Sequence, residues 1–360
     1  MITTRAEDFE RIRTNLVQTL RYSGSDGLLA EGDSLDLLKS VPDSSVSLIL
    51  TDPPYHSTKK ANIVGDTAFA EDDQFLNWMG SYAREWRRVL RPNGSLFCFC
   101  SSEMSARLEV LLSRSFNVLS HVVWTKPNEP GFDGWKGKMK KESLRQWYAH
   151  SERILFAEPA VEGNLHRSAF AHFLREVRKQ CGLSAHQLAE ITGAYGKVNH
   201  GGAVSNWETG RNIPSLDQYT KMCDAFLATG KIKELPAYED VVRVFRVNGD
   251  IEFTDVWNFS SVKPYAGKHP AEKPGSLLEH AIRATTLPGD IVLDTFSGSG
   301  STALAALKLQ RRAVAMEIDP GWASQSTTRL EAFREGISLP PVLWKRGRTA
   351  IAPALKPGVT

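Results

Sequence analysis

The 360-residue chain is predicted to be an α/β protein, a mostly parallel sheet flanked by helices, with a small all-α unit inserted in its middle. Three observations predict it. Short apolar runs near Leu28, Leu48, Leu96, Val122, Ile154, Val292 and Val314 have strand length and polar flanks, the pattern of strands buried on both faces. Helical spacing alternates with them, most clearly in Phe75, Leu76, Trp78, Met79, Tyr82, Trp86, Val89 and Leu90, a crossover helix ended by Arg91-Pro92-Asn93-Gly94. Met104 to Leu112 reads as the next helix. Between Glu158 and Tyr238 helical spacing stands alone.

The strand Val46-Ser47-Leu48-Ile49-Leu50 runs into Thr51-Asp52-Pro53-Pro54-Tyr55. Open α/β sheets bind ligands at the carboxyl ends of their strands, which makes this turn a candidate site. Each proline fixes its own φ and pushes the preceding residue toward extended geometry, so Asp52 and Pro53 are held rigid. An exocyclic amino group with two N–H bonds would find two acceptors there, the Asp52 carboxylate and the Pro53 carbonyl, and Tyr55 offers a flat face for stacking. The candidate catalytic residues are therefore Asp52, Pro53, Pro54 and Tyr55. Alone, the tetrapeptide reads better as a rigid turn with a tyrosine lid; a later segment reverses that balance.

In that segment Ile291-Val292-Leu293-Asp294 leads through Thr295-Phe296-Ser297-Gly298-Ser299-Gly300-Ser301 into the helical run Thr302-Ala303-Leu304-Ala305-Ala306-Leu307. Glycines at 298 and 300 let the backbone pass close to a ligand, and the helix start presents free N–H groups. The strand Arg312-Ala313-Val314-Ala315-Met316 then ends in Glu317-Ile318-Asp319, a carboxylate placed to accept both hydroxyls of a ribose. A dinucleotide site competes with this reading. The spacing, however, is Gly-Ser-Gly rather than G-x-G-x-x-G, and no Walker lysine follows.

The order of these motifs, Asp-Pro-Pro-Tyr early and Phe-x-Gly-x-Gly late, resembles the β-class amino-methyltransferases of DNA. Further counterparts are Glu31-Gly32-Asp33-Ser34-Leu35, Val41-Pro42-Asp43-Ser44-Ser45-Val46, Val123-Trp124 with Lys126, Asp255-Val256-Trp257 and His269-Pro270-Ala271-Glu272-Lys273-Pro274, so the resemblance covers most of 20–158 and 245–333. It implies a circularly permuted, Rossmann-like, S-adenosylmethionine-dependent methyltransferase fold, with S-adenosylhomocysteine as product and no metal. It also implies the donor-binding residues. Phe296, Ser297, Gly298, Ser299 and Gly300 would line the donor, Glu317 would take its ribose, Asp33 its adenine and Lys273 its amino-acid end. Asp294 either joins them or caps the glycine turn. A turn carboxylate and a solvated surface lysine are the plainer readings of Asp33 and Lys273. In the family, aspartate at the first motif position usually goes with adenine and serine with cytosine. The resemblance thus implies site-specific methylation of the N6 amino group of adenine in double-stranded DNA, by base flipping and direct in-line transfer, with N4 of cytosine as the alternative. None of the four cysteines lies in a Pro-Cys pair, as carbon-5 methylation of cytosine would need.

Within 159–238, the helical runs from Phe173, from Gly182-Leu183-Ser184 and through Trp207-Glu208-Thr209-Gly210 to Pro214 resemble the phage-repressor type of helix-turn-helix, whose second motif helix enters the major groove. Ser184 would cap a helix, and Leu188 and Trp207 would be core. Ser205, Asn206 and Arg211 are the candidate DNA contacts of the third segment. The turn from Gly193 to Gly202 is longer than usual in the motif; its Lys197, Asn199 and His200 either touch DNA or belong to a mobile glycine loop. The insertion would read the target sequence, or else serve a transcriptional autoregulator with a secondary methyltransferase half. Lys59 and Lys60 belong to a polar stretch just past the catalytic turn that could close over donor and DNA, and the loop cations Lys136, Lys138, Lys140 and Lys141 suit phosphate neutralisation or simple solvation. The implied division is 20–158 (catalytic half), 159–238 (insertion), 239–335 (donor half) and a flexible tail over 336–360.

Bulk properties set limits only. With 41% hydrophobic and 24% charged residues the chain can bury one sizeable core plus a small helical one, and a net charge of +3 requires any DNA footprint to come from local clustering. Cys98, Cys100, Cys181 and Cys223 lack metal-ligand spacing and read as reduced packing residues, the first two on one face of a strand. Neither a signal-peptide pattern nor an uninterrupted apolar span is present, which points to the cytoplasm and away from a membrane. The sequence leaves open whether the protein forms a homodimer and whether a cognate restriction endonuclease accompanies it.

Overall fold

The computed structural model describes residues 4–56, 69–127, 145–147, 150–161, 168–194, 202–247, 253–265 and 267–337. Among them, nine strands form one sheet: β1 (Leu20–Ser23), β2 (Gly27–Glu31), β3 (Val46–Thr51), β4 (Leu90–Cys100), β5 (Phe116–Thr125), β6 (Ser151–Pro159), β7 (Val256–Asn258), β8 (Ile291–Asp294) and β9 (Arg312–Glu317). Their order is β1-β2-β9-β8-β3-β4-β6-β5-β7. The stretch from β2 to β4 is parallel throughout, while β6 runs antiparallel to both β4 and β5, and β1 antiparallel to β2. The sheet is therefore mixed, with five of its eight strand pairs parallel as expected and the reversed direction of β6 unforeseen. The reason is that Ile154-Leu155-Phe156-Ala157 is buried on both faces, and an unbroken apolar run carries no information about strand direction.

The helices are α1 (Arg5–Leu16), α2 (Ser34–Leu38), α3 (Asp72–Val89), α4 (Ser105–Leu112), α5 (Ala169–Cys181), α6 (Ala185–Thr192), α7 (Gly202–Glu208), α8 (Leu216–Ala228), α9 (Tyr238–Val241), α10 (Gly275–Thr285), α11 (Ser301–Lys308) and α12 (Pro320–Arg334). Alternation along each strand builds a core on either face of the sheet. On one face Phe9 and Ile12 of α1 and Met79 and Trp86 of α3 pack over Ile49, Leu96, Cys98 and Leu293. On the other, Leu277 and Ile282 of α10 and Ala303 and Ala306 of α11 cover Leu48, Leu50, Phe97 and Val292. Cys98 and Cys100 share the first face, as the sequence predicts. Helix α3 stops at Val89, and Arg91-Pro92-Asn93-Gly94 is already strand β4.

Helices α5 to α8 close over a third core, in which Leu174, Leu188, Val204, Trp207, Met222 and Phe226 are buried. Ser184 accepts from the Gln187 amide and Gln187 answers to the Ser184 amide, a reciprocal cap that starts α6. Gly182 and Gly193 take left-handed geometry to end α5 and α6.

Strands β3 and β8 are adjacent and parallel, yet the chain leaves them in opposite directions, from β3 through α3 to β4 and from β8 through α11 to β9. That divergence opens a crevice above their carboxyl ends, the place where an open α/β sheet binds ligands. Among the described residues, no helix is long and apolar enough to cross a membrane.

Candidate active site

Strands β3 and β8 end side by side and are tied there. Thr51 is buried and its hydroxyl donates to Asp294 Oδ1 at 3.0 Å, while the Thr295 amide donates back to Thr51 Oγ1 at 3.3 Å. The early Asp-Pro-Pro-Tyr turn and the late glycine turn are thereby brought to one cavity of ≈ 370 Å³, which runs from Asp52 and Tyr55 at one end to Glu317 and Trp322 at the other.

At the first end a chain of alternating charges surrounds Asp52. Lys273 Nζ donates to Asp52 Oδ2 at 2.6 Å and lies 3.4 Å from Glu152 Oε2. Glu152, from the start of β6, also accepts from the Tyr55 hydroxyl at 2.7 Å and from Lys126 Nζ at 2.6 Å. Asp52 Oδ1 is buried and takes no hydrogen bond. Burial pushes the Asp52 carboxyl up, the Lys273 ammonium pulls it back and Glu152 pushes it up again, with a net rise. Burial acts on Glu152 in the same sense, but Lys273 and Lys126 overcome it and hold that carboxyl down at about 2. Two carboxylates a few ångströms apart are thus driven in opposite directions by their surroundings, a signature of divided roles. Lys273 is itself buried, which works against its charge, yet Asp52 and Glu152 together raise its pKa.

At the other end Asp294 Oδ1 also accepts from the Phe296 amide at 3.1 Å, so its carboxylate caps the glycine turn; burial pushes it up to about 6. Gly298 and Gly300 have φ of 51° and 76°, left-handed geometry in which a side chain would be strained. At Gly300 there is also no room, since a Cβ would lie 2.8 Å from the Ser326 hydroxyl that donates to Gly298 O. Glu317 Oε2 accepts from the Gly298 amide at 2.6 Å and Oε1 from the Asp319 amide at 2.9 Å, and burial pushes this carboxyl up to about 7. Trp78, Tyr82 and Phe296 form an aromatic wall, with the Phe296 ring 4.8 Å from that of Tyr82 and 5.7 Å from that of Trp78. Asp33 caps α2 through the Leu35 amide at 2.9 Å and lines the same cavity. The His269 ring stands edge-on to Trp322 at 4.4 Å; burial and then Lys273 lower its pKa to about 4. Ser297 Oγ is buried in the cavity wall with no hydrogen-bond partner.

The expected catalytic residues Asp52, Pro53, Pro54 and Tyr55 therefore share a cavity with Asp33, Lys273, Asp294, Phe296, Ser297, Gly298, Ser299 and Glu317. Gly300 sits one residue further, at the start of α11. Lys273 is not a solvated surface lysine, and its ammonium is bonded to the Asp52 carboxylate. Of the expected DNA contacts, Lys59, Lys60, Lys136, Lys138, Lys140, Lys141, Lys197, Asn199 and His200 lie outside the described residues. Ser205 is exposed and Asn206 half-buried on α7, and Arg211 is exposed just beyond it. Glu152 was not foreseen. Its signal was the charged pair Glu152-Arg153 opening the apolar strand Ile154-Leu155-Phe156, and its partners come from segments far apart in the chain. Among the described residues no group of three or more His, Cys, Asp or Glu is placed to hold a metal ion.

Residues 46–327 match the family model described as DNA methylase, the N6_N4_Mtase family. The chain belongs to this family. The methylase is 33% identical over 332 residues to the type II methyltransferase M2.DpnII of Streptococcus pneumoniae, covering 87% of this chain and 93% of that one. It is 24% identical over 320 residues to the DNA adenine methyltransferase YhdJ of Escherichia coli, covering 86% and 85%. The solved structure of PvuII DNA methyltransferase, described as cytosine-N4-specific, superposes with a TM-score of 0.52 at 19% identity over 86% of the methylase and 88% of that chain. That likeness bears on the fold alone, and the relatives divide on the base they are named for.

Proposed function

We propose that the methylase transfers a methyl group from S-adenosylmethionine to the N6 amino group of adenine in double-stranded DNA. One observation carries this reading: a buried carboxylate with one free oxygen, Asp52 Oδ1, shares a cavity with a glycine turn, a carboxylate and an aromatic wall suited to an adenosyl group. The donor fits the residues present. Phe296, Trp78 and Tyr82 offer faces for its adenine, Asp33 an acceptor for the adenine's amino group, and Glu317 an acceptor for its ribose hydroxyls. Ser297, Gly298, Ser299, Gly300 and the start of α11 would border its amino-acid end. When bound, the donor supplies a methyl group already activated by a positive sulfur.

The residues around Asp52 then do three things. They exclude water, since the pocket is walled by Tyr55 and Trp124. They accept the two amino N–H bonds at Asp52 and the Pro53 carbonyl, favouring the pyramidal nitrogen whose lone pair can attack. They orient that nitrogen, so that positioning and fixed electrostatics provide most of the acceleration. A base inside a duplex cannot reach this seat and must be extruded, at about a few kcal/mol of lost stacking that the Tyr55 ring partly restores. Aspartate at the first position of the motif supports adenine over N4 of cytosine.

We further propose that helices α5 to α8 form a repressor-type helix-turn-helix domain, spanning 159–238 between a catalytic half at 20–158 and a donor half at 239–335, and that it reads the target sequence.

Incubation with labelled donor and DNA from a strain lacking amino-methylation, followed by nucleoside mass spectrometry, should yield N6-methyladenine. N4-methylcytosine would replace the adenine assignment, and bound but unmethylated DNA would favour a regulator. Asp52→Ala should abolish transfer while leaving donor binding within about twofold, because Asp52 stands at the base end of the cavity.

A further inference from the structure

We propose that Lys273 is a positioning residue for methyl transfer: it reaches from the segment before α10 to the tip of β3 to keep Asp52 an ionised acceptor, while Glu152 anchors it from β6. The inference rests on the reading of Asp52 as acceptor for the amino group of the target base. A buried carboxyl left to itself takes up a proton, and a protonated acid would present an O–H to the amino group where an acceptor is needed. Lys273 opposes this without blocking the site. Its ammonium has three N–H bonds and three acceptors around it, Asp52 Oδ2 at 2.6 Å, Glu152 Oε2 at 3.4 Å and the Ala271 carbonyl at 3.4 Å. Asp52 Oδ1 is left free for the base. The ammonium also lies over two rings, 5.1 Å from the centre of Phe99 and 5.3 Å from that of Tyr55, whose faces attract a cation and offset part of the cost of burying it.

Glu152 completes the device. It is fixed by the Tyr55 hydroxyl and Lys126, so it offers Lys273 a second, permanent anion besides Asp52. The lysine therefore keeps a partner when the base engages Asp52. Among the described residues, the other titratable groups facing Asp52 are Tyr55, Asp294 at the end of β8, and Cys98 and Cys100 on β4, and none of them carries a positive charge.

The test compares full-length wild type, K273M, K273R and E152Q. Single-turnover transfer from labelled S-adenosylmethionine into DNA from a strain lacking amino-methylation is measured across pH, together with donor dissociation constants. The Asp52 carboxyl is titrated in parallel by carbon NMR, with D52N assigning its resonance. In K273M the acid limb should move to higher pH, with a loss of about tenfold or more near neutrality that shrinks as pH rises, and donor affinity should stay at the wild-type value. K273R should keep the wild-type limb. E152Q should move the limb the other way, because it removes a like charge from beside Asp52. A K273M loss equal at every pH, or a weakened donor with no shift of the limb, overturns the proposal. If wild type methylates nothing, the methylation reading fails by itself, and an Asp52 titration unchanged by K273M would still sink the lysine's role.

Discussion

Glu317 is held by two main-chain amides, one from the glycine turn and one from the start of α12, and its burial places its pKa at about 7. Only the ionised form accepts two hydroxyls without offering a proton that competes for the same position. Ionisation is complete above neutrality and is lost as pH falls. Donor affinity should therefore be flat above about pH 8 and weaken by about tenfold per pH unit below 7, as measured by calorimetry at fixed ionic strength. Glu317→Gln should bind the donor more weakly and lose this dependence. Asp294, pushed up to about 6, lines the same cavity, and its titration would leave a weaker slope below pH 6 in the Gln variant. His269, lowered to about 4, stays neutral throughout. These roles divide by legibility: Glu317 and Asp52 were readable because each ends an apolar strand, where a lone acid is conspicuous. Glu152 was not, because a charge at the start of a strand usually faces solvent, and only folding brings Tyr55, Lys126 and Lys273 around it.

Among elements, the strands with unbroken apolar cores, β2, β3, β8 and β9, were legible, and so was α3 with its single apolar stripe. Strands β1 and β7 were missed because they are short and mostly exposed, with one buried residue apiece. Helix α1 was missed although Thr4 and Glu7 form a reciprocal cap, since its buried positions are set among charges. In the helical unit, α7 follows α6 through residues outside the described set, and Ser205, Asn206 and the neighbouring Arg211 are the proposed DNA contacts left to test on it. Replacing all three with alanine leaves Val204 and Trp207 buried and the third core intact. If α7 reads bases, each lost base-edge contact costs about 1–3 kcal/mol of discrimination, and with all three removed the preferred site should fall by about a hundredfold or more relative to other sites. Sequencing of methylated positions measures this. An unchanged set of sites would move the unit to the autoregulator role.

The whole molecule depends on a joint far from the chemistry. Helix α1, strand β4, the loop before β8 and helix α9 meet at the amino end of the sheet through buried ions. Arg91 on β4 donates to Asp8 of α1 at 2.6 Å, with side-chain exposures of 7% and 1%, and reaches Asp240 of α9 at 3.5 Å. Arg5 joins Asp240 to Asp290, and Asp290 in turn accepts from Ser47 at 3.1 Å and from the Leu287 amide at 2.7 Å. Asn93 donates to the carbonyls of Glu239 and Val242 at the same place. This cluster fastens the end of the helical unit to the strand that follows the catalytic crossover, so it sets where the proposed reader stands relative to the site. Breaking a buried pair by removing one partner costs more than removing both, because the survivor keeps its desolvation penalty. Arg91→Met should destabilise the protein by about 3 kcal/mol in urea unfolding followed by tryptophan fluorescence. Asp8→Leu combined with Arg91→Met should recover much of that loss, with a coupling of opposite sign to the single effects. If the two single losses simply add in the double variant, the ions act independently and the joint is not a unit.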